Sequence, residues 1–337
     1  MLPKPDFDRL SGKFQQISLW IYHHLPGIGL SITLALLATL LQNWLGLKYL
    51  SPLILAIGLG IISNNLWKIS SFYQLGIDFC LKKILRVAIA LLGLQFSFTQ
   101  VLAVGGSGLI IIVATILSTF GFTLWLGKGL GVNYRLTQLI AAGTSICGAS
   151  AVVAANTAVE GKDEDVSYAV AIVTVFGTGS MVIYPLLSTL FDFQAFGIWC
   201  GASIHEVAQV VAASFQVSPV SGEIAVITKL SRVLFLIPMV FLLGTKPKGK
   251  SQPPIPWFMF YFIFLIGVNS IHLLPNQFRD LVVQGNRLLL TVSLAAMGLV
   301  TSLAKLKQVG IKPLLLAGGS WLFISVVSFC LIKGFYG

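Results

Sequence analysis

A helix that crosses a bilayer needs about twenty consecutive apolar residues, because lipid offers no partner to a free peptide group. This chain holds such runs one after another, near 29–48, 50–66, 84–104, 106–127, 136–156, 167–190, 197–215, 225–244, 256–273, 286–303 and 313–334. The second run is short and fits a tilted or partly re-entrant helix. Only 10% of the 337 residues are charged, against about 25% in soluble proteins. The fold expected is an all-α polytopic membrane protein of about eleven transmembrane helices. Residues 1–28 read as a cytoplasmic segment with an interfacial helix at 14–24, and 29–337 as a single transmembrane domain. A second interfacial helix is expected at 71–82, where Asp78 and Lys82 stand beside aromatic and aliphatic residues.

The formal charge of +11 would suit nucleic acid if the cations shared a polar face with aromatics. Instead they lie between apolar runs, which argues for no nucleic-acid partner. Counted over eleven crossings, one side takes Lys4, Arg9, Lys13, Lys68, Lys82, Lys83, Arg86, Lys128, Arg135, Lys246, Lys248, Lys250, Lys305, Lys307 and Lys312. The other takes Lys48, Lys162, Arg279, Arg287 and Lys333. That asymmetry puts the N-terminus in the cytoplasm and the C-terminus outside an inner or plasma membrane. No cleavable apolar core precedes Pro26, so no signal peptide is expected. Cys80, Cys147, Cys200 and Cys330 are scattered and read as free thiols.

Two internal echoes run through the chain. Residues 90–105 align with 295–310 at an offset of 205, pairing Ala90 with Ala295, Gly93 with Gly298 and Ser97 with Ser302. In the eleven-run count these copies cross in opposite directions, as inverted repeats of secondary transporters do. Gly143-Thr-Ser-Ile-Cys-Gly-Ala-Ser-Ala-Val-Val-Ala-Ala-Asn156 aligns with 201–214 at an offset of 58. There the count gives both runs the same direction, so either the echo is coincidental or a nearby segment is re-entrant.

Gly143, Thr144, Ser145, Cys147, Gly148 and Ser150 make a small, polar stretch inside an apolar run. Such residues pack helices closely. They also suit a broken helix whose freed N–H groups hold an anion, with Asn156 and Thr157 lining the same cavity. Ser203, His205, Glu206 and Gln209 form the second stretch. Glu206 is the one acidic residue of eleven near the middle of an apolar run, where ionised groups are costly and usually face a cavity or a partner. Lys229 and Arg232, three apart, share a face of the next run. Arg232 reads as the deeper and as a partner for Glu206 or for an anion. Lys229 reads as able to snorkel to the outer surface.

His205-Glu206-Val-Ala-Gln209 departs from the His-Glu-x-x-His of zinc proteases at its last position. A catalytic zinc needs three protein ligands, and His272 is the only other span-adjacent histidine, so no metal centre is expected. No Walker loop is present, so ATP is not the expected energy source, and no cofactor is implied.

The stretches at 143–152 and 203–213, Leu85-Arg86 with Leu-Leu-Gly at 91–93, and Lys229 with Arg232 resemble the YeiH-type family of proposed sulfate exporters. The resemblance covers residues 30–334. It implies an inner-membrane transporter with crossed broken helices, sulfate or a related anion being the substrate proposed for the family. The function expected is thus secondary transport of a small anion, in the export direction, coupled to a proton or Na+, and not enzymatic. A cation/proton antiporter or neutral-solute symporter using Glu206 is the alternative. A membrane-embedded enzyme or non-transporting scaffold using His205, Glu206 and Cys147 is another. The partners expected are the anion, the coupling ion, the lipid bilayer and a second copy of the chain in a homodimer.

Overall fold

The computed structural model describes residues 7–45, 51–67, 69–244, 257–271, 273–301 and 310–336, and among these every regular element is helical. The fold is that of a polytopic membrane protein. Six described helices are long and apolar enough to cross a bilayer: Leu19–Trp44, Gly106–Leu130, Asp163–Leu190, Pro219–Leu243, Gln277–Val300 and Ile311–Tyr336. His272 and positions 302–309 of the longer repeat lie outside the described residues.

α1 (Phe7–Leu45) has 39 residues, about 58 Å at 1.5 Å per residue. The stretch at 14–24, expected as a separate interfacial helix, is continuous with it, and Pro26 lies inside. α2 (Pro52–Trp67) follows. The second expected interfacial helix is also part of a longer one: α3 (Gln74–Phe79) runs through a wide turn at Cys80–Ile84 into α4 (Leu85–Leu92) and a tight turn at Gly93–Gln95. The run expected at 84–104 therefore straddles a boundary. Phe96 is extended (φ −108°, ψ 153°), and α5 (Phe98–Leu130) starts anew.

The chain then folds back on itself. α6 (Tyr134–Ala142) continues through a wide turn at Gly143–Cys147 and reverses at Gly148, before α7 (Ala149–Val159). The two arms lie side by side. A Cβ on Gly143 would stand 2.8 Å from Val152, and one on Gly161 3.1 Å from Leu139. α8 (Asp163–Ile183), prolonged by a tight turn at Tyr184–Leu190, leads to the opposite end of the bundle. There α9 (Phe193–Ser203) and α10 (Val207–Val217) make a second hairpin, reversing through Ile204, His205 and Glu206. α11 (Pro219–Leu234) fixes their directions. Phe193, Gly197 and Gly201 meet Ser221, Ile224 and Thr228 in the same order, whereas Phe215 near the end of α10 meets Gly222 near the start of α11.

The runs at 136–156 and 197–215, expected as single crossings, thus both fold back as hairpins of two short helices. The first enters where α8 begins and the second where α8 ends. Lys162, expected on the side opposite Arg135, stands at the same end as Arg135, because α7 returns there.

α12 (Leu236–Leu243), α13 (Trp257–Ser270), α14 (Asn276–Val300) and α15 (Ile311–Tyr336) complete the fold. Packing divides the helices into two groups. α1–α4, α13 and α14 pack mainly on one another, as do α5–α12 and α15. Between the groups, α10 meets α2 and α14, and α5 meets α13.

Contacts in the first group repeat at the 205-residue offset. Asn64 Nδ2 donates to Thr301 O (3.3 Å) and Asn269 Nδ2 to Phe96 O (2.9 Å), and 64 to 269 and 96 to 301 are both steps of 205. Likewise a Cβ on Gly298 would meet Ile57 O, and one on Gly93 would meet Phe262 O. Small residues let these helix backbones touch.

Candidate functional site

Each hairpin tip holds an unfinished helix end. The last carbonyls of a helix have no partner within it and form the negative end of its dipole. Those of the first arms, at 144–146 and at 201 and 204, converge on α11. Lys229 Nζ donates to Ile146 O (2.8 Å) and Ile204 O (2.6 Å). Arg232 donates from Nη1 to Gly201 O (3.0 Å) and Ile204 O (3.3 Å), and from Nη2 to Thr144 O (3.2 Å) and Ser145 O (2.8 Å). Both side chains are 0% exposed. Hydrogen bonds from a charged donor contribute about 1.5–3 kcal/mol each, offsetting a desolvation cost of several kcal/mol per ion. The two cations clamp both tips from one side.

Two expectations change here. Lys229 does not snorkel, since its carbonyl partners lie inside. Arg232 does not pair with Glu206: the ion pairs among the described residues are Lys82–Asp78 (2.8 Å) and Arg279–Asp280 (3.6 Å). Five donor groups of a guanidinium suit a cluster of carbonyls as well as they suit a carboxylate.

Glu206 lies at the other kind of helix end. Its backbone is extended (φ −116°, ψ 147°) at the start of α10, and its N–H donates to Gln209 Oε1 (3.1 Å). The carboxylate lies at the start of α7, with Oε1 3.4 Å from where a Cβ on Gly148 would stand, and Oε1 accepts from Thr174 Oγ1 (3.1 Å). N–H groups at helix starts carry partial positive charge. The carboxylate therefore sits where two helix N-termini meet. Gly148 makes the contact possible, since a Cβ there would stand 2.6 Å from Glu206 Cγ, and its φ of +71° with ψ −134° suits glycine.

Exposure differs between the two faces of the tips. Lys229 and Arg232 are sealed, while Glu206, Ala149, Val207 and Thr174 are half-buried and Ser150 is exposed. The accessible face is the one that presents helix N-termini.

The remaining expected site residues divide. Gly143, Thr144, Ser145, Cys147, Gly148, Ser203, His205 and Glu206 all lie in the two tips. Ser145 Oγ bonds to Ala141 O (2.6 Å) and Ser203 Oγ to Trp199 O (2.5 Å), so both hydroxyls serve their own helices. Cys147 is buried among apolar side chains. Thr144 Oγ1 and His205 Nδ1 are buried without a hydrogen-bond partner. Gln209 is tied to α8, donating to Thr174 O (3.1 Å) and Thr178 Oγ1 (3.4 Å).

Asn156, expected to line the cavity, is instead at the far end of α7, where Oδ1 accepts from Gly161 N–H (2.8 Å) and shapes the turn into α8. Thr157 Oγ1 bonds back to Ala154 O. Sequence reasoning missed Thr174 and Thr178. Phe176-Gly-Thr-Gly-Ser180, a small polar stretch within an apolar run, was the readable sign of Thr178.

The model of the family described as conserved hypothetical protein 698 matches residues 26–317. The UPF0324 inner membrane protein YeiH of Escherichia coli K12 is 40% identical over 324 residues, covering 90% of this chain and 91% of that protein. YeiH of Salmonella typhi is 38% identical over 327 residues, 90% and 93% of the two chains. A UPF0324 membrane protein of Pasteurella multocida is 37% identical over 300 residues, 85% and 88%. No solved structure matches the chain. This multi-pass membrane protein belongs to the conserved hypothetical protein 698 family, the UPF0324 membrane proteins.

Proposed function

We propose that this chain is a secondary transporter of small oxyanions, of the sulfate or sulfonate kind, which bind where the two hairpin tips meet. One observation carries the reading. The accessible face of the tips already holds an oxyanion, the Glu206 carboxylate, at the start of α7 and on the Thr174 hydroxyl. Discontinuous helices whose N-termini face a mid-membrane site are the usual means of holding an anionic group in transporters.

A cation-transporting reading fits less well. The carbonyl ends that would hold a cation are filled by the protein's own Lys229 and Arg232. Transport rather than catalysis is favoured because the site joins two hairpins that enter from opposite ends of α8, an arrangement we read as an inverted pair. The first helix group (α1–α4, α13 and α14) supplies a frame for the hairpin group to move against. The positive-inside rule sets the N-terminus in the cytoplasm of an inner membrane and the C-terminus outside, and export is the direction that the family resemblance suggests.

The test is flux. Purified protein in proteoliposomes should exchange labelled sulfate, sulfite or isethionate across the membrane faster than empty vesicles. Absence of exchange for every one of these anions would refute the reading.

A further inference from the structure

We propose that Glu206 is a tethered stand-in for the transported anion, and that an oxyanion enters the tips only as Glu206 takes up a proton and gives up its seat. This rests on the oxyanion reading above and adds how the site is coupled.

The geometry makes the two occupants exclusive. Thr174 offers one hydroxyl hydrogen, and it is on the carboxylate, which also occupies the start of α7. Glu206 Cγ fills the space that a side chain on Gly148 would need, so the glutamate side chain is packed on the first tip. Of the cations next to the site, Lys229 Nζ and both Arg232 Nη atoms are on carbonyls, while Arg232 Nε is buried without a partner.

Each tip also holds a buried polar atom without a partner, His205 Nδ1 in one and Thr144 Oγ1 in the other. Such atoms are costly unless something binds them, and the carboxylate uses neither. The titratable or charged groups facing Glu206 are Cys147 of the first tip, His205 of its own turn, and Lys229 with Arg232 of α11. α7 and α8 present Ala149 and Thr174, which do not titrate.

In the exchange a proton from solvent binds a carboxyl oxygen of Glu206, and the arriving anion replaces the negative charge that the carboxylate gives up. One proton then accompanies each anion.

Calorimetry of sulfate binding to the purified full-length protein, in two buffers of different ionisation enthalpy, counts that proton. The expected result is one proton taken up per sulfate, with affinity falling about tenfold per pH unit where Glu206 is ionised. Glu206→Gln should bind sulfate with no proton uptake and a flat pH profile. Sulfate binding by the wild type without proton uptake, or uptake that persists in Glu206→Gln, overturns the stand-in role and leaves the oxyanion reading intact. Failure of the wild type to bind sulfate, isethionate or acetate at any pH overturns both. Should Glu206→Gln not fold, the proton count on the wild type decides.

Discussion

Glu206 packs against Gly148 so closely that a Cβ on the glycine would lie 2.6 Å from the glutamate Cγ. The two residues are the reversal points of their hairpins and stand 58 positions apart, the same offset at which the two stretches echo each other in sequence. The positive φ of Gly148 costs a residue with a side chain about 1–3 kcal/mol, and the contact with Glu206 adds to that. Gly148→Ala should lower the thermal midpoint in detergent and weaken oxyanion binding. Ser150→Ala, two positions on and exposed, should leave the midpoint near wild type. Equal midpoints for Gly148→Ala and wild type would mean that the tips are not packed as described.

The clamp from α11 predicts a stability effect. Arg232→Lys keeps the charge but loses the fork that reaches Thr144, Ser145, Gly201 and Ile204. About 1–3 kcal/mol is expected for each carbonyl left without a donor, so chemical unfolding should occur at clearly lower denaturant. The folded fraction should still take up one proton per sulfate. A variant as stable as wild type that no longer binds anions would make Arg232 a substrate ligand.

How much of this was legible beforehand depends on what each feature leaves in a sequence. The membrane class follows from apolar runs, and both tips follow from Gly143–Gly148 and from a lone mid-run glutamate. The fold-back of the hairpins does not. Two half-length arms together carry as many apolar residues as one crossing helix, so hydropathy counts a hairpin and a span alike. What distinguishes them is a positive φ at Gly148 and an extended Ile204–Glu206 turn, and these are conformations rather than compositions. The partners of Arg232 were hidden for a related reason. A cation and an anion in one apolar region suggest each other, whereas backbone carbonyls exist at every residue and become acceptors only where a helix ends.

Gln209 and Gly177 make a compensating pair. A Cβ on Gly177 would run into the Gln209 amide, with Cδ at 2.7 Å. Gly177→Ala should therefore push the second hairpin from α8 and lower the thermal midpoint. Adding Gln209→Ala should recover part of that loss, although Gln209→Ala alone gives up the bonds to Thr174 and Thr178. Strictly additive effects in the double variant would contradict the contact.

The repeated asparagines should differ in a specific sense. Thr301 O accepts from Asn65 (3.1 Å) as well as from Asn64, while among the described residues Asn269 is the one side-chain donor to Phe96 O. Asn269→Ala is expected to cost about 1–3 kcal/mol and Asn64→Ala about 0.5–1.5 kcal/mol. Urea unfolding of both variants checks the order, and a larger loss for Asn64→Ala would reverse the argument.

The central claim is that small oxyanions bind at the facing hairpin tips, on the side of the helix N-termini. Selenate, a sulfate analogue with a strong anomalous signal, locates the site directly in crystals grown at a pH low enough to protonate Glu206. The account predicts a selenium peak beside Ala149 and Thr174, with the Glu206 side chain moved from the position it holds here. A selenium peak on Lys229 and Arg232, or one outside the tips altogether, would contradict it.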